Sequence, residues 1–338
     1  MFGVIDIGSN TIRLSLYKIF DKVVEPMMNK KRVVGLASYV DDNNNMTLKG
    51  IEKAISVLNE YNKIIQAIEA KKIFVFATAS LRNIDNTDEV LKIIEEQTGM
   101  RVNVLSGKEE GYYDFVGATQ KTDISEGIIL DIGGGSTELT FVKDKEIAQV
   151  VSIPIGSLNT YRKYVKSLIP TKNEEKKIKQ CIVAELEKVN VPKEDYKGVS
   201  VYGIGGSIRG AVKLNKDFFE MDDNNEKLER KNIKKMIDIF EEKPKIAVSE
   251  ILEVVPDRIH TLSTGMIILK TIMKFYECKT VELCKWGIRE GYLVVNINKD
   301  KEECSKAENG QLINDEEKIE QQKNEVKSED AIEGKQYI

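Results

Sequence analysis

The sequence contains one pattern twice, and this duplication constrains the fold more than any other feature. The first copy runs from Phe2 to Leu16, and the second begins at Gly127. Each copy has an apolar run that ends in an aspartate, then a turn with glycine, then an alternating segment. The copies align without a gap at an offset of 125 residues, from Asp6 to Asp131. We therefore predict two strand–turn–strand units in two related domains, with their turns facing each other across a cleft.

The second turn has the composition of an anion site. Gly133, Gly134 and Gly135 leave backbone N–H groups uncovered, a local geometry that cradles phosphate oxygens. Asp131 and Glu138 flank these glycines. Two carboxylates beside an anion site suit a hard cation such as Mg²⁺.

Composition and charge exclude several classes of function. The 338 residues include one histidine, His260, which disfavours a Ser-His-Asp triad and a multi-histidine metal site, so acid–base chemistry is expected from carboxylates. A formal net charge of −4 argues against a nucleic-acid partner. No run approaches the ~18 apolar residues of a membrane span, and the first residues lack a basic signal region. We therefore expect a cytoplasmic protein with no membrane partner.

The order of predicted elements favours an α/β fold with more than one domain. The length supports two sizeable cores. We predict an N-terminal domain over 1–122, a C-terminal domain over 123–298, and a charged tail over 299–338. The tail is rich in Glu, Lys, Asn and Gln and has few apolar residues, which predicts a disordered segment or a frayed helix.

Two junctions after predicted strands carry polar groups. Thr78–Asn83 follows a buried strand and is predicted to be a loop at its carboxyl end, where α/β sheets usually place functional groups. Ser106 and Glu109 match a capping box, which gives Glu109 a structural role at a helix start. Glu110 has no such explanation. It is either a solvated surface glutamate or a catalytic carboxylate beside the cleft.

Six segments of the chain form a recognisable set: Asp6–Arg13, Ala77–Arg82, Leu105–Gly111, Asp131–Glu138, Gly203–Ser207 and Gly287–Gly291. In this order they resemble the motifs of the exopolyphosphatase/guanosine pentaphosphate phosphohydrolase (Ppx/GppA) family. The resemblance covers about residues 1–297 and implies duplicated RNase H-like domains, as in actin, Hsp70 and sugar kinases. The third family turn usually ends in threonine, whereas this chain has Ser207 there, which keeps a hydroxyl.

The resemblance implies a role for each catalytic residue. Glu110 stands where the family keeps its catalytic base, and Arg82 matches an arginine that contacts the phosphate chain. Asp131 and Glu138 match positions near the metal and the attacking water, and we add Asp6 to the expected ligands of Mg²⁺ or Mn²⁺. The predicted phosphate-binding residues are Asp6, Gly8, Ser9, Asn10, Thr11, Arg13, Gly133, Gly134, Gly135, Ser136, Gly205, Gly206 and Ser207.

The implied activity is removal of the terminal phosphate from polyphosphate, with short chains favoured because the helical domain of longer family members is absent. The alternative substrate is guanosine pentaphosphate. A basic groove would favour polyphosphate, whereas a purine-sized pocket would favour the nucleotide. Lys30, Lys31, Arg32 and Arg82 could line such a groove, although a solvated face is the more common meaning of a basic cluster. Two other classes stay open: an actin-like ATPase or sugar kinase, and a non-catalytic binder of alarmones or polyphosphate. Two-domain folds of this type often form homodimers.

Overall fold

The computed structural model describes residues 1–20, 23–191 and 193–300. Residues 1–293 form one compact unit, and a second unit begins at Val294. Nearly all of the predicted tail, from residue 301 onward, lies outside the described residues. Within the described ranges, no helix combines the length and the hydropathy needed to span a membrane.

The first sheet has five strands and is covered by helices from the same part of the chain. Its order is β3-β2-β1-β4-β5, in which β1 pairs antiparallel with β2 and parallel with β4. Apolar residues of α1 recur every three or four positions, and this face packs on the sheet. The elements are β1 (Phe2–Ile7), β2 (Thr11–Phe20), β3 (Val23–Val33), a 3-10 helix (Leu36–Tyr39), α1 (Leu48–Ala67), β4 (Lys72–Ala77), α2 (Ala79–Arg82), α3 (Thr87–Thr98), β5 (Asn103–Val104) and α4 (Gly107–Thr119).

The second sheet has six strands in the order β10-β11-β9-β6-β7-β8. Its core is filled by the apolar faces of α6, α7, α8 and α10. The described chain ends in α11 (288–300). The other elements are β6 (Gly127–Ile132), β7 (Thr137–Lys143), β8 (Glu146–Ile153), α5 (Ser157–Tyr164), α6 (Lys172–Glu187), a 3-10 helix (Lys193–Tyr196), β9 (Val201–Ile204), α7 (Gly205–Phe218), β10 (Lys227–Glu229), α8 (Arg230–Glu242), α9 (Pro244–Val254), a 3-10 helix (Pro256–Arg258), α10 (Leu262–Phe275) and β11 (Thr280–Leu283).

The two sheets repeat the same topology, which confirms the predicted α/β class and the two strand–turn–strand units. Strands β8-β7-β6-β9-β11 follow the same order as β3-β2-β1-β4-β5. The register also repeats, because Asp6 lies opposite Arg13 and Asp131 lies opposite Glu138. Each turn is closed by one backbone hydrogen bond of 3.0 Å, from the N–H of the glycine two residues after the aspartate. The domain limits over 1–122 and 123–298 stay a prediction.

The segment Thr78–Asn83 is not wholly a loop, and this prediction was wrong. Its middle forms the short helix α2. Leu81 is 1% exposed, so its side chain draws the segment into the core of the first sheet. Backbone N–H groups of Leu81 and Arg82 both donate to the carbonyl of Thr78. The turn therefore fixes the position of Arg82, at the last residue of α2.

Helix α4 joins the two sheets, although its sequence belongs to the predicted N-terminal domain. It follows β5 of the first sheet and packs on β7 and β8 of the second. Gly111 makes this contact possible, because a Cβ added there would overlap the side chains of Val150 and Thr140. The start of α11 returns to the first sheet, where the Tyr17 hydroxyl donates to Glu290 Oε1 at 2.7 Å. The first turn of α4 therefore lies between the two sheets.

Candidate active site

The two duplicated turns line one cleft, as the sequence predicts. They approach each other closely, because a Cβ added to Gly134 would lie 3.2 Å from Ser9 Cβ, and one added to Gly135 would lie 2.9 Å from Ser9 Oγ. Their backbones thus stand on facing walls of the cleft. The predicted residues that line it are Asp6, Gly8, Ser9, Asn10, Thr11, Arg13, Glu110, Asp131, Gly133, Gly134, Gly135, Ser136, Glu138, Gly205 and Gly206.

The third turn brings the first residues of α7 to the same cleft. Gly205 has φ +85°, and a Cβ at this position would overlap Asp131 Oδ1. A Cβ at Gly206 would overlap the guanidinium of Arg258. Glycine is therefore needed at both positions for close packing. Ser207 does not line the cleft; it is 2% exposed, and its hydroxyl donates to the carbonyl of Ile132 at 3.1 Å.

Glu110 is buried, which excludes the alternative of a solvated surface glutamate. The predicted capping box is present, with Ser106 N donating to Glu109 Oε2 at 2.8 Å, so Glu109 caps α4. Glu110 follows it, is 7% exposed and lines the cleft. Arg82 does not itself line the cleft. Its guanidinium donates to Glu110 Oε1 and to the carbonyl of Leu105, the latter at 2.8 Å.

The carboxyl groups of the cleft are buried close together, and each is harder to ionise than in water. Burial raises the pKa of Asp131 to about 6, with a further rise caused by the charge of Asp6. Burial and the charge of Asp131 raise the pKa of Glu138 to about 7. Burial, followed by the charge of Glu138, raises the pKa of Glu110 well above its usual range. A cation placed among these groups would lower all three pKa values.

The donor chemistry of these carboxylates fits Mg²⁺. Asp6, Asp131 and Glu138 offer hard oxygen ligands, the kind that Mg²⁺ prefers. Among the described residues, no group of three His, Cys, Asp or Glu side chains is close enough to hold a metal ion unaided. This agrees with the usual Mg²⁺ site, in which one or two carboxylates share the ion with waters and substrate phosphates.

Three arginines of the cleft escaped the sequence-based prediction. Arg209, Arg258 and Arg289 line it, and each lowers the pKa of Asp131. Arg289 Nη1 lies 3.4 Å from Asp6 Oδ2, while its buried Nε has no hydrogen-bond partner among the described residues. Arg209 stands one helical turn after Gly205, a spacing that could have signalled it. No feature of the sequence around Arg258 indicates that its side chain lines the cleft.

A fifth acidic residue, Asp114, lies behind the cleft and was also missed. It follows Glu110 by one turn of α4 and is 1% exposed. Burial, then the charges of Asp131 and Glu138, raise the pKa of Asp114 well above its usual range. Its Oδ1 has no hydrogen-bond partner among the described residues. The i, i+4 spacing from Glu110 was its only sequence signal.

The basic segment Lys30–Arg32 takes no part in this site. Lys30 and Arg32 both pair with Glu60, at 2.7 Å and 2.6 Å, and Lys31 pairs with Asp257. None of the three lines the cleft. The positive charge near the carboxylates comes instead from Arg13, from Arg82 beside Glu110, and from the arginines of the second half of the chain.

The cleft therefore combines the groups that phosphoryl transfer to water requires. Backbone N–H groups of the glycine turns and four arginine side chains can neutralise phosphate oxygens. Carboxylates fit a hard cation, and the buried carboxyl group of Glu110 lines the same cleft.

Comparisons with known proteins agree with this geometry. The chain is 26% identical over 305 residues to Exopolyphosphatase 1 of Mycobacterium tuberculosis, covering 88% of each protein. It is 30% identical over 291 residues to a bifunctional 3-dehydroquinate synthase/phosphatase of Fusobacterium nucleatum, of which it covers 43%.

Solved structures share the fold. The Aquifex aeolicus PPX-GPPA enzyme is 30% identical, with a TM-score of 0.71, and the match covers 87% of this chain and 98% of that one. An exopolyphosphatase from Cytophaga hutchinsonii, 18% identical, superposes with a TM-score of 0.76 over 88% of this chain and 98% of that one. The predicted duplicated RNase H-like fold is thereby confirmed. The Ppx/GppA phosphatase family matches residues 15–300, and the chain belongs to that family.

Proposed function

We propose that this protein is an exopolyphosphatase, which hydrolyses the terminal phosphoanhydride bond of inorganic polyphosphate and releases orthophosphate. The observation that carries the proposal is the buried carboxylate of Glu110, held by Arg82 in the cleft where the two glycine turns meet. The family relationship and the similarity to Exopolyphosphatase 1 support the same chemistry.

In the proposed reaction, the N–H groups of the two turns bind the terminal phosphate. Glu110 takes a proton from a water molecule, whose oxygen attacks the terminal phosphorus. The bond from that phosphorus to the bridging oxygen breaks, and the chain leaves one phosphate shorter. Arg82 opposes the rise in the pKa of Glu110 and orients its carboxyl group through a hydrogen bond. Mg²⁺ or Mn²⁺, held by Asp131 and Glu138 with Asp6, would neutralise phosphate charge when bound.

A basic track beside the cleft favours a linear polyanion as substrate. Arg209, Lys213 and Lys216 are spaced by four and three residues, so they share one face of α7. They line a hollow that shares Arg209, Trp286 and Arg289 with the cleft. The rest of a phosphate chain could follow this face while its end occupies the cleft.

Guanosine pentaphosphate is the second candidate, because an indole ring stands at the same junction. Trp286, the single tryptophan of the chain, lines both the cleft and the hollow. Lys121 lies over its ring at 4.8 Å. A guanine base could stack on the opposite face of the ring.

The test is phosphate release with Mg²⁺ from tripolyphosphate, long polyphosphate, guanosine pentaphosphate and ATP. We expect release from polyphosphate, with a higher KM for long chains in Lys213→Gln/Lys216→Gln and little change in Trp286→Ala. Pentaphosphate turnover that is lost in Trp286→Ala would instead select the nucleotide. Turnover of ATP alone would indicate an actin-like ATPase, and tight binding without turnover would indicate a sensor. The cytoplasmic location and the homodimer stay predictions.

A further inference from the structure

A second basic groove lies on the outer side of the second sheet's helices, away from the cleft. It has a volume of about 810 Å³ and is lined by eight basic side chains and one acidic one. The basic residues lie on α6, α8 and α10, in the 3-10 helix that begins at Lys193, and just before β11. Lys270 and Lys274 on α10, and Arg230 and Lys234 on α8, are each one turn apart, so each pair shares one helix face.

The groove keeps a large positive charge after its own ion pairs are counted. Three carboxylates bind four of the eight basic groups: Glu175 pairs with both Lys179 and Lys270, Glu229 pairs with Lys231, and Asp238 pairs with Lys234. Eight cations and three anions leave an excess of five positive charges. Within the described ranges, Lys193, Arg230, Lys274 and Lys279 have no carboxylate partner. This concentration stands on a chain whose formal net charge is −4.

The local structure shows that this charge does not serve the stability of α8. Arg230 and Lys231 form the first turn of α8, where the helix dipole disfavours cations, and no acidic residue lies in that turn. Lys270 is mostly buried, and burial lowers its pKa despite the ion pair with Glu175. Positive charges therefore line the floor and the rim of the groove, although the helix dipole of α8 and the burial of Lys270 both disfavour them.

The groove is separate from the active site. Thr264 marks the end of α10 that lies near the cleft, because its hydroxyl donates to the carbonyl of Ser157, which lines the cleft. Lys274 is ten residues further along the same helix. Lys270, the first residue of α10 that lines the groove, is six residues beyond Thr264, so at 1.5 Å per residue the groove begins roughly 9 Å away along the helix axis and extends to roughly 15 Å at Lys274.

The composition of the groove selects an inorganic phosphate chain over a nucleic acid. Seven of its eight basic groups are lysines, which act as compact point charges toward phosphate, and Arg230 is the single guanidinium. Nucleic-acid sites add exposed aromatic faces on which bases stack. The one aromatic residue of the groove, Phe275, has Lys193 over its ring at 5.0 Å. With a single aromatic ring, one face of which carries a lysine, the groove lacks the series of ring faces on which successive bases stack.

We propose that this groove, which we name the outer groove, binds an inorganic polyphosphate chain at a site separate from the cleft. That this ligand is also the enzyme's substrate rests on the proposed function. A long chain bound there would raise the local concentration of chain ends near the cleft, whereas tripolyphosphate is too short to use both sites. The outer groove should therefore affect KM for long chains and leave kcat for tripolyphosphate unchanged.

The experiment measures binding of long polyphosphate to the Glu110→Gln protein at several salt concentrations. One variant carries Lys274→Glu and Lys279→Glu, and a second carries Lys274→Gln and Lys279→Gln in case charge reversal at the end of α10 impairs folding. The matched control carries Lys49→Glu and Lys53→Glu, two exposed residues of α1 with no ion pair in the described chain. We expect at least a tenfold loss of affinity in the reversal variant and little loss in the control.

Two further measurements test the proposal: the salt dependence of polyphosphate affinity, and the affinity for a single-stranded oligonucleotide. Each lost phosphate contact should reduce the slope of log affinity against log salt by roughly 0.7, as for single-stranded nucleic acids. Equal affinity in the groove and control variants would overturn the proposal. A single-stranded oligonucleotide that binds as tightly as polyphosphate and depends on the same lysines would overturn the choice of ligand. Failure of the proposed function would show separately, as no phosphate release from polyphosphate by the unaltered enzyme.

Discussion

The hydroxyl of Tyr17 should contribute measurably to stability, because it links α11 to the first sheet. Tyr17 is 1% exposed, and its hydroxyl donates to Glu290 Oε1 at 2.7 Å. The other oxygen of Glu290, which is 6% exposed, accepts from Gly287 N at 3.1 Å, beside the cleft. Tyr17→Phe removes one oxygen atom and keeps the ring, so it leaves the buried carboxyl group with one donor fewer and opens almost no cavity.

The expected cost follows from the type of bond that is lost. Hydrogen bonds to charged groups contribute about 1.5–3 kcal/mol, more than neutral ones at about 0.5–1.5 kcal/mol. We therefore expect Tyr17→Phe to lower the free energy of unfolding by about 1.5–3 kcal/mol. In a Glu290→Gln background the bond is neutral, so the same substitution should cost about half as much.

Urea unfolding at pH 7, followed by circular dichroism, measures these differences. Tyr112→Phe is the matched control, because Tyr112 is 43% exposed and its hydroxyl makes no hydrogen bond to the described residues; its effect should stay within about 0.5 kcal/mol. A Tyr17→Phe variant as stable as this control would refute the reasoning.

Two further predictions concern the cleft. A Cβ at Gly156 would overlap the backbone of Gly134, so Gly156→Ala should displace the second glycine turn and lower kcat/KM for phosphate release at least tenfold. The control is Gly99→Ala, where the Cβ meets open space and the strain of the positive φ is confined to the end of α3, so kcat/KM should be kept; equal activities of the two variants would contradict the prediction. The raised pKa values of Asp131 and Glu138, about 6 and about 7, mean that the folded metal-free protein holds these protons to higher pH than the unfolded chain, whose carboxyl pKa values are about 4. This contribution to stability is fully present below about pH 4 and is lost by the time the pH has risen through 6 and 7. The urea midpoint should therefore fall as the pH rises from about 4 to above 7, and it should fall less in Glu138→Gln.

Local patterns in the sequence were enough to predict the duplicated turns and most of the cleft. Strand alternation and turn glycines act over a few residues, so both turns, with Asp6 before the first and with Asp131 and Glu138 on either side of the second, could be predicted from the sequence. The capping box at Ser106 likewise separated Glu109 from Glu110. These features depend on chain neighbours, which is why they can be read from sequence.

Other features depend on packing between distant segments. Arg258 reaches the cleft because Gly206 has no side chain to exclude it, a contact that neither local sequence reveals. Lys30, Lys31 and Arg32 were candidates for a basic groove, but all three form ion pairs and none lines the cleft. The outer groove is formed by residues spread between Lys179 and Lys279, so no continuous stretch of the sequence predicts it.

The most direct test of the account is phosphate release by Glu110→Gln, measured beside polyphosphate binding. A general base typically contributes about 10²–10⁴ in rate, so we expect turnover to fall by at least about a hundredfold. Polyphosphate binding should stay within a few-fold of that of the unaltered protein, because glutamine keeps the size of the side chain. Turnover near that of the unaltered protein would contradict the assignment of Glu110 as the base, and with it the central claim.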